Sequence, residues 1–184
     1  MATQVIKYSW QDAEKAVQDI AMEMYKSNWR PDYIVGITRG GLVPAVMLSH
    51  MIDVPLHTLC VQLANEDLEE NTETNCWMAE DAYGYIQEMD RDGIYEKVTS
   101  HPDRKKNILI IDDINRGGDV MEWIKNDWQS SCLPKNPNWD TVWNNNVRFA
   151  SLLDNVNSKV SMDYCSEEFN EEEKDVWVIF PWET

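Results

Sequence analysis

The chain has 184 residues, of which 43% are hydrophobic and 10% aromatic, a composition that suits a globular protein with a proper core and excludes a disordered segment. Its formal net charge of −17 argues against nucleic acid and anionic membrane surfaces as partners, since both repel an acidic protein. One small polyanion stays admissible, because a local cradle and a cation can overrule the global field. That length predicts one domain spanning residues 1–184. Cys60, Cys76, Cys132 and Cys165 lie far apart with no C-x-x-C pair, the pattern of isolated thiols in a reducing cytosol, although an even number leaves disulfides formally open. Met1 to Trp10 has no basic region leading into an apolar run, and no apolar run approaches the ~20 residues that a bilayer requires. A soluble cytoplasmic protein is expected.

In chain order, Ser9 and Asp12 have the spacing of a capping box, and Ala13, Ala16, Val17, Ile20, Ala21 and Met24 recur at helical intervals, so Trp10 to about Ser27 predicts an amphipathic helix. Trp29 to Asp32 is a turn and Tyr33 to Ile37 a short buried strand. Thr38-Arg39-Gly40-Gly41 is the loop after it, Leu42 to about Ile52 a helix with Pro44 in its first turn, and Leu56 to Leu63 a second strand. Strand, glycine loop, helix and strand make a βαβ unit. Between Asn65 and Asp92 the chain is strongly acidic, and Met78, Ala82, Tyr85, Ile86 and Met89 keep helical spacing there, which predicts a solvated loop followed by a surface helix. Arg104-Lys105-Lys106 precedes the next strand and is expected to cap a sheet edge.

Asn107 to Asp119 is the most informative stretch. Ile108-Leu109-Ile110-Ile111 reads as a strand buried on both faces, Asp112 and Asp113 follow at once, and Gly117-Gly118 turn into a helix from about Val120 to Trp128. Ligands of open α/β sheets bind at the carboxyl ends of strands, and a glycine turn entering a helix offers bare N–H groups to a phosphate. Carboxylates beside such a cradle suit a hydroxylated, phosphorylated substrate with a divalent cation between them. Ser130 to Asn146 is polar and turn-rich, with a helical turn expected at Asp140–Trp143. Val147 to Leu153 is a strand, Glu167 to Asp175 a charged loop, and Asp175 to Phe180 a last strand. No G-x-G-x-x-G occurs, which argues against a dinucleotide-binding redox domain.

Ile110 to Asn115 with its glycine turn resembles the phosphoribosyl pyrophosphate (PRPP) motif of type I phosphoribosyltransferases. Tyr33 to Ala45 closely resembles the pyrophosphate loop of purine phosphoribosyltransferases of the bacterial xanthine-guanine type. Asp163-Tyr164 followed by Asp175 to Glu183 resembles their purine-site end. The resemblance implies an α/β type I phosphoribosyltransferase fold, a mostly parallel sheet flanked by helices with a small C-terminal hood. It implies transfer of the 5-phosphoribosyl group from PRPP to a xanthine-, guanine- or hypoxanthine-like base, with release of pyrophosphate, dependence on Mg²⁺, and a homodimer or larger homo-oligomer.

The same resemblance assigns roles. Asp112 and Asp113 would accept the ribose hydroxyls directly or through Mg²⁺. The turn from Asn115 through Arg116, Gly117 and Gly118 to Asp119 would hold the 5′-phosphate. Thr38, Arg39, Gly40 and Gly41 would hold pyrophosphate, and the acidic segment would supply a mobile flap. Trp177 would stack on the base and the backbone of Val178 would read its edge, while Asn155 stands where the family places a base-reading Lys. The family continues its acid pair, two residues on, as Asp-Thr-Gly-x-Thr. Here those positions are Arg116-Gly117-Gly118-Asp119-Val120, so the general-base Asp and both phosphate-binding hydroxyls are absent. That departure motivates an alternative of another class, a PRPP or nucleotide sensor that keeps the fold and has lost turnover.

Overall fold

Four consecutive aliphatic residues with no exposed surface, Ile108 to Ile111, form the centre of the molecule. In the computed structural model, which describes residues 3–61, 63, 75–89, 95–133, 135–173 and 175–183, they begin strand β6 (Ile108–Asn115). Each such side chain stabilises the fold by roughly 1.5–3 kcal/mol through burial. The main sheet also contains β2 (Tyr33–Thr38), β3 (Leu56–Cys60), β7 (Val147–Asn155) and β8 (Tyr164–Phe169). All its pairings are parallel, in the order β3-β2-β6-β7-β8.

Helices cover both faces, as an all-parallel sheet requires. Helices α1 (Trp10–Lys26) and α2 (Leu42–Ile52) pack with Ile34, Leu109 and Ile111 on one side. Residues of α3 (Cys76–Tyr83) and α4 (Asp119–Ser131) pack with Tyr33, Val35, Ile108 and Ile110 on the other. The α1 capping box forms as expected, with the Ser9 hydroxyl accepting from Asp12 N–H at 3.1 Å and Asp12 accepting from Ser9 N–H at 2.8 Å.

From β2 the chain crosses through α2 to β3 on one side, and from β6 it crosses through α4 to β7 on the other. The β2–β6 boundary is therefore a topological switch point, where an open α/β sheet opens a crevice at its carboxyl edge. The Arg39 loop and the end of β6, with Asp112, Asp113 and the turn from Arg116 to Gly118, both lie there.

Several elements differ from expectation. The helix anticipated across Met78 to Met89 ends at Tyr83, because Gly84 adopts a left-handed conformation (φ 70°) and a Cβ there would lie 2.5 Å from the His101 carbonyl oxygen. Tyr85, Ile86 and Met89 instead belong to β4 (Tyr85–Met89), which pairs antiparallel with β5 (Tyr95–Ser100). The charged loop anticipated from Glu167 is partly β8, an edge strand whose acidic residues discourage further pairing. The helical turn anticipated at Asp140–Trp143 lies earlier, at Pro137–Thr141. The last strand, β9 (Val176–Ile179), stands apart from the main sheet and pairs in parallel with β1 (Gln4–Lys7), making the small hood. Of the acidic segment anticipated as a flap, residues 65–74 and 90–92 lie outside the described residues, and the part between them forms α3 and β4. Among the described residues no helix is long and apolar enough to cross a membrane.

Candidate active site

Two loops touch at the switch point. The Thr38–Arg39 peptide is cis, and α2 begins immediately after Gly41. A Cβ on Gly40 would lie 2.1 Å from Asp113 Oδ2, and one on Gly41 would lie 2.5 Å from the Ile111 carbonyl oxygen and 2.7 Å from Asp112 Cα. Only glycine lets the Arg39 loop come this close to the end of β6. Arg39 itself is exposed beside the acid pair's loop.

Burial governs the acids. It holds the Asp112 carboxyl well above the ordinary carboxylate range, and the neighbouring Asp113 charge pushes the same way; N–H groups of Asp113 and Gly41 partly offset this. Asp112 keeps some surface on a cleft, yet its carboxyl sits deep among protein atoms. Asp113, 9% exposed, is also raised by burial, with hydrogen bonding from the Asp112 side chain and the Ile114 N–H acting against it and Glu183 adding to it. The Trp182 indole also favours the charged form of Asp113, although its Nε1–H reaches no acceptor at hydrogen-bonding geometry. Among the described residues neither carboxylate has a Lys, Arg or His in salt-bridge contact.

Two clefts flank this contact. One, of about 410 Å³, is lined by Leu63, Asp112, Ile114 and the residues from Asn115 at the end of β6 to Met121 in the first turn of α4. The other, of about 470 Å³, is lined by Arg39, Gly40, Val43, Trp182 and Glu183. Gly40, on the wall of the second, touches Asp113, whose neighbour Asp112 is on the wall of the first. Trp182 and Glu183 lie in the stretch that resembles the purine-site end, where the resemblance gives them no role. Their position at the chain end gave no independent signal.

The phosphate-side turn is braced from behind. Asn115 Nδ2 donates to Asp154 Oδ1 at 2.7 Å, Ser158 Oγ at 3.0 Å and the Val160 carbonyl at 2.7 Å, so its amide is a strut within the protein. Gly118 (φ 81°) caps α4, where a Cβ would lie 2.7 Å from Ser158 Oγ and from Val160 N. Asp119 pairs with Lys159 Nζ at 2.7 Å. The Arg116 guanidinium does not stand free over the cleft: Nη1 meets Glu171 Oε1 at 2.8 Å and Nη2 donates to the Val176 carbonyl at 2.8 Å.

The base-side residues divide. Trp177 is 60% exposed on β9 while Val176 and Val178 on either side are buried, leaving an indole face open to a flat ligand. Asn155 is buried, and its Nδ2 donates to the Arg116 carbonyl at 2.8 Å; it lines neither cleft. Among the described residues no group of three or more His, Cys, Asp or Glu side chains gathers as a metal cage. Mg²⁺ is commonly held by one or two carboxylates together with substrate oxygens and water, and the buried, cation-poor Asp112–Asp113 pair fits that mode.

A parallel sheet with an Arg-Gly-Gly loop and an acid pair at its switch point defines the type I phosphoribosyltransferase class. A family model described as a phosphoribosyl transferase domain matches residues 8–183. The xanthine-guanine phosphoribosyltransferase of Cereibacter sphaeroides is 26% identical over 160 residues, 84% of this chain and 70% of that protein. That of Idiomarina loihiensis is 21% identical over 180 residues, 95% of this chain and 84% of that protein. Among solved structures, the purine phosphoribosyltransferase of Pyrococcus horikoshii superposes with a TM-score of 0.61 at 22% identity, covering 99% of this chain and 95% of that one. The xanthine-guanine-hypoxanthine phosphoribosyltransferase of Helicobacter pylori gives 0.60 at 18% identity, covering 98% and 95%. At these identities the superpositions speak for the fold alone. The chain belongs to the phosphoribosyl transferase domain family, and is a PRPP-dependent phosphoribosyltransferase related to the bacterial xanthine-guanine enzymes.

Proposed function

We propose that the protein transfers the 5-phosphoribosyl group of PRPP to a purine of the xanthine, guanine or hypoxanthine type, as a single domain and with Mg²⁺, releasing pyrophosphate. The observation that carries this reading is the contact of Gly40 with Asp113, which sets a pyrophosphate-type loop against an acid pair. The names of the xanthine-guanine relatives support the choice of base.

In this reading the bond from ribose C1 to pyrophosphate breaks with oxocarbenium character and a purine nitrogen attacks C1. Arg39 and the Gly40 amide hold the departing pyrophosphate, where charge develops, while the Gly41 N–H serves the Asp112 carboxyl. Asp112 and Asp113 orient the ribose hydroxyls and are the residues that would hold Mg²⁺. That ion, when bound, offsets pyrophosphate charge. The amides of Gly117 and Gly118 at the start of α4 hold the 5′-phosphate without the usual hydroxyls. Trp177 supplies the stacking face. Assembly as a homodimer or larger homo-oligomer belongs to the same proposal and is read by light scattering.

A second reading, a PRPP or nucleotide sensor, is favoured by one observation: the position where the resemblance puts a general base holds Arg116, which takes no proton at neutral pH and is tied to Glu171 and Val176. Incubation with PRPP, Mg²⁺ and each purine in turn separates them. Formation of a nucleoside monophosphate supports the enzyme, PRPP binding with no product supports the sensor, and neither result contradicts both.

A further inference from the structure

Arg116 holds two parts of the molecule together that no backbone pairing among the described residues joins. Its own root is fixed, because Asn155 Nδ2 donates to its carbonyl at 2.8 Å and the preceding Asn115 is tied to Asp154, Ser158 and Val160. Its far end is fixed on the segment that leads into the hood. Nη1 meets Glu171 at 2.8 Å, Nη2 meets the carbonyl of Val176 at 2.8 Å, and the guanidinium lies 5.8 Å from the centre of the Phe169 ring. Glu171 is itself held, its N–H donating to Asn155 Oδ1 at 3.3 Å. Val176 immediately precedes Trp177 on β9, whose described strand partner is β1 alone.

We propose that Arg116 is a positioning residue that sets the Trp177 strand against the phosphate-side turn, so that the turn's geometry determines affinity for the base. This rests on the purine phosphoribosyltransferase reading. The side chain lies on the wall of the first cleft but directs its donors away to Glu171 and Val176. A planar guanidinium can serve a carboxylate and a carbonyl at once in fixed geometry, whereas an ammonium is a point charge on a flexible stem. Arginine at this position thus has a defined use in place of proton transfer: displacement of its root moves the Val176 carbonyl, and with it the indole.

The test uses Arg116→Met, Arg116→Lys and Glu171→Ala, the last removing one of the two anchors from outside the turn. Calorimetry compares ribose 5-phosphate, which fills only the sugar-phosphate side, with guanosine 5′-monophosphate, which adds the base. Arg116→Met is expected to leave the ribose 5-phosphate Kd within about twofold and to weaken the monophosphate about tenfold, the scale of losing a charge-assisted bond. Arg116→Lys falls between, and Glu171→Ala moves in the same direction. Equal weakening of both ligands would make Arg116 a phosphate contact and overturn the proposal, as would no change in either. Amide hydrogen exchange at Trp177 and Val178 without ligand provides an arm independent of the functional reading. It is expected to rise about tenfold in Arg116→Met, and unchanged exchange overturns the strap even in a protein that binds nucleotide. If the wild type binds neither ligand while the exchange rises as expected, the purine reading has failed and the strap has not.

Discussion

Gly40 and Gly41 stand side by side, but alanine at the two positions should do different damage. At Gly41 the new Cβ would meet backbone on every side: Ile111 O at 2.5 Å, Asp112 Cα at 2.7 Å and Ile37 O at 2.9 Å. None of these atoms can rotate away, so the start of α2 must part from β6 by about 0.9 Å to restore ordinary contact, at the upper end of the 1–3 kcal/mol typical of overpacking. For a protein of this size, about 3 kcal/mol corresponds to a fall in Tm of roughly 6–12 °C. At Gly40 the three atoms nearest the new Cβ all belong to the Asp113 carboxyl, at 2.1 to 2.8 Å. A side chain can turn aside, so Gly40→Ala is expected to lower Tm by no more than a few degrees while displacing the acid and reducing phosphoribosyl transfer about tenfold or more. Thermal unfolding followed by tryptophan fluorescence without ligand, paired with a transfer assay, reads both. A Gly41→Ala protein melting within 2 °C of the wild type, or a Gly40→Ala protein with full activity, would refute the close approach of the two loops.

Other predictions concern charge, stacking and metal. Because burial raises the Asp112 carboxyl above its unfolded value of about 3.9, the folded state binds the extra proton, so this contribution to stability is fully present below that value and is lost as pH rises through the folded pKa. In metal-free buffer the stability of Asp112→Asn relative to wild type should therefore grow above about pH 4, by at most ~1.4 kcal/mol per pH unit, in urea titrations across pH; a difference that stays flat to pH 8 would refute the assignment. Trp177→Ala should raise the KM for the purine about tenfold and leave that for PRPP within twofold in steady-state assays, since the exposed indole serves the base side alone. Chelation of Mg²⁺ should abolish most of the Tm increase that PRPP confers, because the acid pair then faces the sugar without a counter-ion; an increase undiminished by chelator speaks against metal between them.

What the sequence disclosed was local. The Ile108–Ile111 run announces a strand covered on both faces, and the acids and glycines after it mark its carboxyl end. The Tyr33–Ala45 stretch does the same for β2, so both loops of the candidate site were legible. The elements misread are those whose partners lie far along the chain. Gln4–Lys7 becomes a strand only by pairing with Val176–Ile179. The acidic segment Tyr164–Phe169 becomes one only because β7 and α1 offer it an edge and a cover. Helical spacing persisted through Tyr85 to Met89, but Gly84 and the pairing with Tyr95–Ser100 decided the outcome. Arg116 was expected at the phosphate, and Asn155 at the base. Their partners, Glu171 and Val176 for the one and the Arg116 carbonyl for the other, lie 55, 60 and 39 residues away, where no local pattern reaches.

Titration calorimetry with PRPP in the presence of Mg²⁺, on the wild type, Arg39→Ala and Asp112→Asn, tests most directly whether both loops act on one ligand. The expected result is one site per chain, with affinity at least about tenfold weaker in each variant. Wild-type affinity in either variant would mean that its loop takes no part in holding PRPP, and would contradict the shared site.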